Sequence, residues 1–139
     1  GDIFERSLEL CLVSPSAVMI ERKLFQETGG FDESLPAAED YDLWLRIGAK
    51  HPVFLIEEPL VVKRGGHPDQ LSKTPGLDRY RIRALEKLLE GEKLTPEQRR
   101  AAAEALQKKC AVYAGGCKKR GRIEEARYYE ALAVRYAPG

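Results

Sequence analysis

The sequence predicts an α+β chain, in which a half-domain of short strands and helices is followed by a C-terminal helical bundle. Residues 12–20 and 53–63 are rich in apolar and β-branched side chains, and proline interrupts both runs, which is typical of short or edge strands. Beyond Ser72 the apolar residues recur at helical spacing. We therefore divide the chain into a first part at residues 1–76 and a helical tail at residues 77–139.

Two short helices are predicted in the first part. Residues 21–28 have helical character and are followed directly by Gly29 and Gly30, where a helix end favours a residue with positive φ. A second helix is predicted around Leu43 and Ile47, because these residues fall on one helical face. The first part therefore alternates short helices with extended segments.

The tail is predicted to be helical throughout. Thr95 and Pro96 form a strong helix start, because threonine can cap the first turn and proline is favoured within it. A last helix is predicted from about residue 123 to residue 136. The helix before Thr95 carries an apolar stripe that ends at Gly91 and consists of Ile82, Leu85, Leu88 and Leu89.

Length and composition indicate a globular chain with one modest core. The chain has 139 residues, of which 43% are hydrophobic and 32% charged. No apolar run approaches the roughly 20 residues that cross a bilayer, and the first residues lack the order of a signal peptide. We expect a cytoplasmic location, with peripheral contact to a membrane as an alternative.

The net charge of +1 is divided unevenly along the chain. Residues 1–77 contain 8 basic and 13 acidic side chains, whereas residues 78–139 contain 15 basic and 9 acidic ones. Catalytic carboxylates could lie in the acidic part. The basic part could face an anionic partner, such as a lipid head group or a nucleic acid, or be an ordinary solvated helix surface.

The cysteines predict neither a disulfide framework nor a metal site. Cys11, Cys110 and Cys117 are odd in number and lack the two-residue spacing of a zinc knuckle. We interpret them as small core residues.

The run GGFDESLPAAEDYDLWLRI carries the strongest functional pattern of the chain. It closely resembles a segment of family 2 glycosyltransferases, and the resemblance extends over about residues 11–72 in the right order and spacing. It implies the acceptor-side, C-terminal half of a GT-A type fold. The matching positions are Gly29, Gly30, Phe31, Asp32, Glu33, Glu39, Asp40, Tyr41, Asp42, Leu43 and Arg46.

The resemblance implies that Asp40 is the general base. Inverting transfer to a hydroxyl needs a group that takes the acceptor proton while the oxygen attacks the anomeric carbon. A carboxylate in the first turn of a helix is also stabilised by the helix dipole. Glu39 is the nearest rival. Alternatively, Glu39, Asp40 and Asp42 only enrich a helix start in acidic residues, as many helices do.

Four further residues are candidates for substrate binding. Trp44 could stack on a sugar ring or belong to the core. Arg46 could pair with an acidic neighbour or lie toward a diphosphate, because its guanidinium binds oxyanions in both settings. Ser14 and Ser16 flank Pro15 at the expected floor of the pocket.

The segment with Lys63, Arg64 and His67 resembles the family's basic loop. In the family that loop approaches the donor diphosphate and its metal, so we predict Arg64 and His67 as weak candidates for contacts there. An exposed loop histidine without such a role is the alternative.

The family's nucleotide-binding half, with its Asp-x-Asp metal motif, has no counterpart in this sequence. Residues 40–42 spell Asp-x-Asp, but they lie inside the predicted helix. The resemblance implies a nucleotide-sugar donor, an unknown acceptor, and Mg²⁺ or Mn²⁺ in the full-length enzyme, with no metal held by this part alone. We therefore expect the chain to need a missing N-terminal donor-binding half and to be inactive alone. An apolar face left open could also support a homo-oligomer.

The tail contains a weaker pattern. Residues 121–126, with Ala133 and Pro138 farther on, resemble the second helix of a tetratricopeptide repeat, although Glu130 departs from it. Because a solenoid needs several repeats, we expect one helical hairpin that covers the first part. The alternative function is a noncatalytic interaction module that binds a protein or an anionic partner through its basic helices. An open pocket shared by Asp40, Arg46 and His67 would favour the glycosyltransferase.

Overall fold

A computed structural model describes residues 1–65 and 76–137, which form six α-helices and one short 3-10 turn. In chain order the elements are α1 (Phe4–Glu9), the 3-10 turn (Pro15–Ala17), α2 (Arg22–Glu27), α3 (Glu39–Gly48), α4 (Leu77–Gly91), α5 (Pro96–Lys119) and α6 (Ile123–Arg135).

The prediction of an α+β fold with short strands is wrong, because no strand occurs in the described ranges 1–65 and 76–137. Residues around the 3-10 turn have extended dihedrals, with φ −129° and ψ 146° at Val18. A strand also needs a neighbour about 4.8 Å away to complete its hydrogen bonds. Apolar and β-branched side chains are typical of residues on a sheet surface, but their presence does not show that a neighbouring strand exists.

Helix α3 packs against α1 and α4 and is buried on two faces. On one face Tyr41 and Leu45 pack with Phe4 and Leu8 of α1 and with the apolar residues of α4, α5 and α6. The hydroxyl group of Tyr41 donates a hydrogen bond of 2.6 Å to the carbonyl oxygen of Leu8. The other face forms a smaller apolar cluster of Leu43, Trp44 and Ile47 against Val13, Ile20, Leu24 and Phe25.

The tail confirms the predicted helical pattern. All four residues of the α4 stripe are buried in the large core, and Thr95 exchanges hydrogen bonds with Gln98 in a capping box. Helices α5 and α6 form a packed hairpin, in which the Tyr113 hydroxyl lies 2.8 Å from a Glu125 carboxylate oxygen. The likeness of this hairpin to a tetratricopeptide repeat, and the boundary at residue 76, stay predictions.

Two of the three cysteines are core residues, as predicted. Cys110 and Cys117 are fully buried, and Cys11 is half-buried beside α3. Burial raises the pKa of the Cys110 thiol to about 11, so this side chain remains a neutral thiol near pH 7. Within the described part of the chain, no helix combines the length and the apolar character that a membrane crossing requires.

Candidate functional site

The paired glycines of the motif end helix α2 in a Schellman arrangement. The Gly30 N–H donates to the Phe25 carbonyl at 3.0 Å, and the Gly29 N–H donates to the Gln26 carbonyl at 3.1 Å. Both glycines have positive φ, 82° at Gly29 and 66° at Gly30. A Cβ atom on Gly30 would lie 3.1 Å from the Phe25 ring, so this position also needs glycine for space. The predicted helix end at these residues is confirmed.

Helix α3 begins at a residue in the left-handed region. Ala38, which is buried, has φ 60° and directly precedes Glu39 and Asp40. For a residue with a Cβ atom this conformation costs about 1–2 kcal/mol. The chain therefore maintains backbone strain at the turn that orients the Glu-Asp pair.

Asp42 is the centre of a buried ion network. Its side chain is 1% exposed, and its Oδ2 atom accepts from Arg46 at 3.0 Å and 3.2 Å. The same guanidinium donates to the carbonyl of Gly30 at 2.7 Å and also to the carbonyl of Thr28. Arg46 therefore joins α3 to the end of α2 and pairs with an acidic neighbour, which is one of its two predicted alternatives, while a contact with a diphosphate stays a prediction.

Lys87 of α4 completes the network from the tail. Its ammonium group lies 2.8 Å from Oδ1 of Asp42 and 2.5 Å from Oδ2 of Asp32. The other oxygen of Asp32 accepts from the Ser34 hydroxyl and backbone N–H, at 2.6 Å and 2.9 Å. The hydrogen bond from Lys87, and then those from Ser34, hold the pKa of Asp32 well below its usual range.

The loop between α2 and α3 borders an open cavity of about 570 Å³. Arg46 and Lys87 contribute two cations to its wall, and Asp32 and Glu33 contribute two carboxylates. The remaining lining residues are Gly29, Gly30, Phe31 and Ser34. The balanced charges suit a ligand that offers hydroxyl groups as well as one that carries a charge.

Asp40 is not among the residues that line the loop cavity. One oxygen of the half-buried carboxylate accepts the Tyr41 N–H at 2.8 Å, and the nearby Cys11 thiol donates to the Val13 carbonyl at 3.7 Å. Burial, and then the negative charge of nearby Asp40, raise the pKa of Cys11 to about 12. Glu39 is half-buried at the first position of the helix. Asp40 does not line the loop cavity that Arg46 borders, so the predicted shared pocket is not formed by these two residues.

The other predicted substrate contacts lie apart from the loop cavity. Trp44 is 6% exposed in the smaller apolar cluster, and its indole N–H has no hydrogen-bond partner among the described residues. Ser14 and Ser16 are on the 3-10 turn, with their hydroxyl oxygens 3.0 Å apart. Arg64 is exposed, and His67 lies outside the described residues. Roles of these side chains in substrate binding stay predictions.

The Asp-x-Asp spelling at residues 40–42 does not form a metal site. Asp42 is neutralised by Arg46 and Lys87, whereas Asp40 accepts from the Tyr41 backbone N–H. Within residues 1–65 and 76–137 no group of three or more metal-ligating side chains occurs. The residues described here therefore do not fit Mg²⁺ or Mn²⁺, and a metal in the full-length enzyme stays a prediction.

Lys87 is the residue of the network that the sequence pattern did not reveal. It lies outside the motif and is separated from Asp42 by 45 positions. A buried carboxylate such as Asp42 requires cations nearby. The sequence indicates only Arg46, four residues later on the same helix, as such a cation. Lys87 lies between Leu85 and Leu88 of the α4 stripe at a half-buried position, and many ordinary surface lysines occur in such positions.

Comparison with known proteins identifies the family. A family model described as glycosyltransferase like family 2 matches residues 5–80, more than half of the chain. An uncharacterized glycosyltransferase of Rickettsia felis is 37% identical over 62 residues, which cover 45% of this chain and 10% of the relative. One of Rickettsia conorii is 36% identical, with the same coverage. The match thus spans about a tenth of these curated relatives. No solved structure matches. The chain belongs to glycosyltransferase-like family 2.

Proposed function

We propose that this chain provides the acceptor side and the general base of an inverting glycosyltransferase. The enzyme would transfer a sugar from a nucleotide-sugar donor to a hydroxyl acceptor. The observation that carries the proposal is the family motif, whose Glu-Asp pair lies at the N-terminus of the buried helix α3. A fixed helix start gives a catalytic carboxylate a defined position.

Asp40 takes the acceptor proton in this mechanism. As the proton leaves, the acceptor oxygen forms a bond to the anomeric carbon, and the bond from that carbon to the diphosphate breaks on the opposite face. Asp40 is half-buried, and its hydrogen bond from the Tyr41 N–H uses Oδ1, so an acceptor hydroxyl would donate to Oδ2. Asp42 is unsuited to the role, because Arg46 and Lys87 occupy both of its oxygens.

The donor-binding half would cover the extended segments of the first part. Apolar side chains are exposed there, including Met19 at 92%, Phe54 at 82% and Leu55 at 86%. Segments of this composition are suited to the surface or edge of a sheet. This chain alone would be inactive, because its own described residues do not form the donor site. Self-association through the same segments is the alternative that a size measurement distinguishes.

The test of the proposal compares two neighbouring acids in a full-length family enzyme that contains this segment. We expect Asp40→Asn to lower kcat by about 10²- to 10⁴-fold, because the amide keeps the shape but cannot take a proton. The KM for the donor should change little. Glu39→Gln is the matched control and should keep most of the activity. Near-normal turnover of Asp40→Asn with a severe loss in Glu39→Gln would transfer the role to Glu39, and no effect of either would refute the proposal.

A further inference from the structure

We propose that Lys87 is a positioning residue for the motif, through which the tail helix α4 holds the loop of residues 29–34 against α3. This role deepens the proposed function and rests on it for what the loop does in the enzyme. The hydrogen-bonded geometry itself can be tested without any activity.

The loop is held at two places by different parts of the chain. Near its start, the Arg46 guanidinium donates to the carbonyls of Thr28 and Gly30. Near its end, Asp32 pairs with Lys87 at 2.5 Å. The first attachment is made entirely within the motif, whereas the second depends on a residue beyond the family match at residues 5–80.

Asp42 couples these two attachments. Arg46 binds its Oδ2 atom and Lys87 binds its Oδ1 atom, so one buried carboxylate fixes the position of both cations. The network contains two acids, Asp32 and Asp42, and two bases, so its charges balance. Loss of Lys87 would leave a fully buried oxygen of Asp42 without its cation and would release Asp32.

Lys87 suits this role because it reaches both carboxylates from a rigid support. It lies on α4 directly before Leu88 and Leu89, which are buried in the large core. Its side chain is 28% exposed, so the ammonium group remains at the rim of the loop cavity while its stem packs on the protein. The tail thus determines the shape of a cavity whose other lining residues belong to the family segment.

The test uses NMR on the whole chain with three variants. In Lys87→Met, exchange of the Ser34 and Leu35 amides, which donate to Asp32, should accelerate by about tenfold or more, while exchange in α5 and α6 stays unchanged. The pKa of Asp32, followed at its carboxyl carbon, should rise toward the ordinary value of about 3.9. Lys87→Arg should restore both readouts in part, because a guanidinium can bridge two carboxylates. Arg83→Met, on an exposed residue of the same helix, is the control and should change neither.

Two results would overturn the proposal. One is wild-type exchange and an unchanged Asp32 pKa in Lys87→Met. The other is uniform acceleration in all helices, which indicates general destabilisation. If Lys87→Met does not fold, Asp32→Asn removes only the contact at the loop and keeps the pair of Lys87 with Asp42. It should give the same local acceleration, and its absence would refute the role.

An activity measurement separates this inference from the catalytic assignment. In an active full-length enzyme, Lys87→Met should raise the KM for the acceptor more than it lowers kcat, whereas Asp40→Asn should do the reverse. A failure of the Asp40 assignment would leave the NMR result for Lys87 intact. A kcat defect in Lys87→Met with an unchanged acceptor KM would contradict the positioning role.

Discussion

The two parts of the molecule differ in which side chains they bury. In the tail, the apolar stripe of α4 is buried among helices with short connections, and Thr95 caps α5. In the first part, the apolar residues of 53–62 are mostly exposed, while the carboxylate of Asp42 is buried. The tail therefore satisfies the usual requirements of a stable helical unit. The first part leaves apolar side chains of residues 53–62 in solvent, and it needs Arg46 and Lys87 to neutralise the buried Asp42.

Of the changes that this contrast predicts, the largest is a complete loss of sugar transfer in the isolated chain. The isolated chain should transfer no sugar from nucleotide-sugar donors with Mg²⁺ or Mn²⁺ present, because no group of three or more metal-ligating side chains occurs among its described residues. Release of nucleoside diphosphate, measured with a coupled assay, checks this expectation, with a full-length family enzyme as the positive control. Metal-dependent turnover by the chain alone would show that the first part is complete as an enzyme.

Removal of the tail should abolish cooperative folding of the first part. A chain of residues 1–76 loses the partners of Phe4, Leu8, Tyr41 and Leu45, and each buried side chain of this size contributes about 1.5–3 kcal/mol. That sum is comparable to the total stability of a typical domain, about 5–15 kcal/mol. Thermal unfolding followed by circular dichroism should show no sharp transition.

The reciprocal chain of residues 77–139 serves as the matched control. It should retain helical circular dichroism, because α4, α5 and α6 pack against one another. A sharp transition in residues 1–76 would mean that the tail is an independent appendage.

Substitutions at Gly29 and Gly30 measure how much stability the backbone conformation and the close packing of the motif region require. Gly29→Ala should cost about 1–2 kcal/mol, since its φ of 82° is unfavourable for alanine but its surroundings are open. Gly30→Ala should cost about 2–4 kcal/mol, because the new methyl group also meets the Phe25 ring. Urea unfolding of both variants gives the comparison. Equal losses would show that the ring moves aside without cost.

A glycine of the tail should behave in the opposite way. Gly115 lies inside α5, and a Cβ atom there would meet nothing within 4 Å. Gly115→Ala should therefore stabilise the chain by about 1 kcal/mol, because glycine is a poor helix former. A higher midpoint of thermal unfolding with unchanged helix content is the expected measurement. A lower midpoint would reveal a constraint on α5 that its packing does not show.

Helix ends and the tail were predictable because their signals are local. Gly29 and Gly30 end α2, and Thr95 caps α5, through contacts within a few residues. The predicted strands failed because pairing depends on a partner distant in sequence.

The same limit applies to the site. The motif showed that Asp40 begins a helix, but contacts between distant residues determined that Cys11 faces it and that Lys87 reaches Asp42. Trp44 lies in an apolar cluster with its neighbours Leu43 and Ile47, which is the core alternative that the sequence indicated.

The attachment made by Arg46 has a consequence for how this segment tolerates change. Because its guanidinium fixes the end of α2 to α3 and Lys87 fixes Asp32, the remaining chain from Glu33 to Pro36 connects points that are already held in place. Lengthening a loop between fixed ends costs little, about 0.6 kcal/mol for each doubling of its length. Insertions there should be accepted during evolution and could serve to remodel the cavity rim, while the two flanking blocks of sequence keep their mutual orientation.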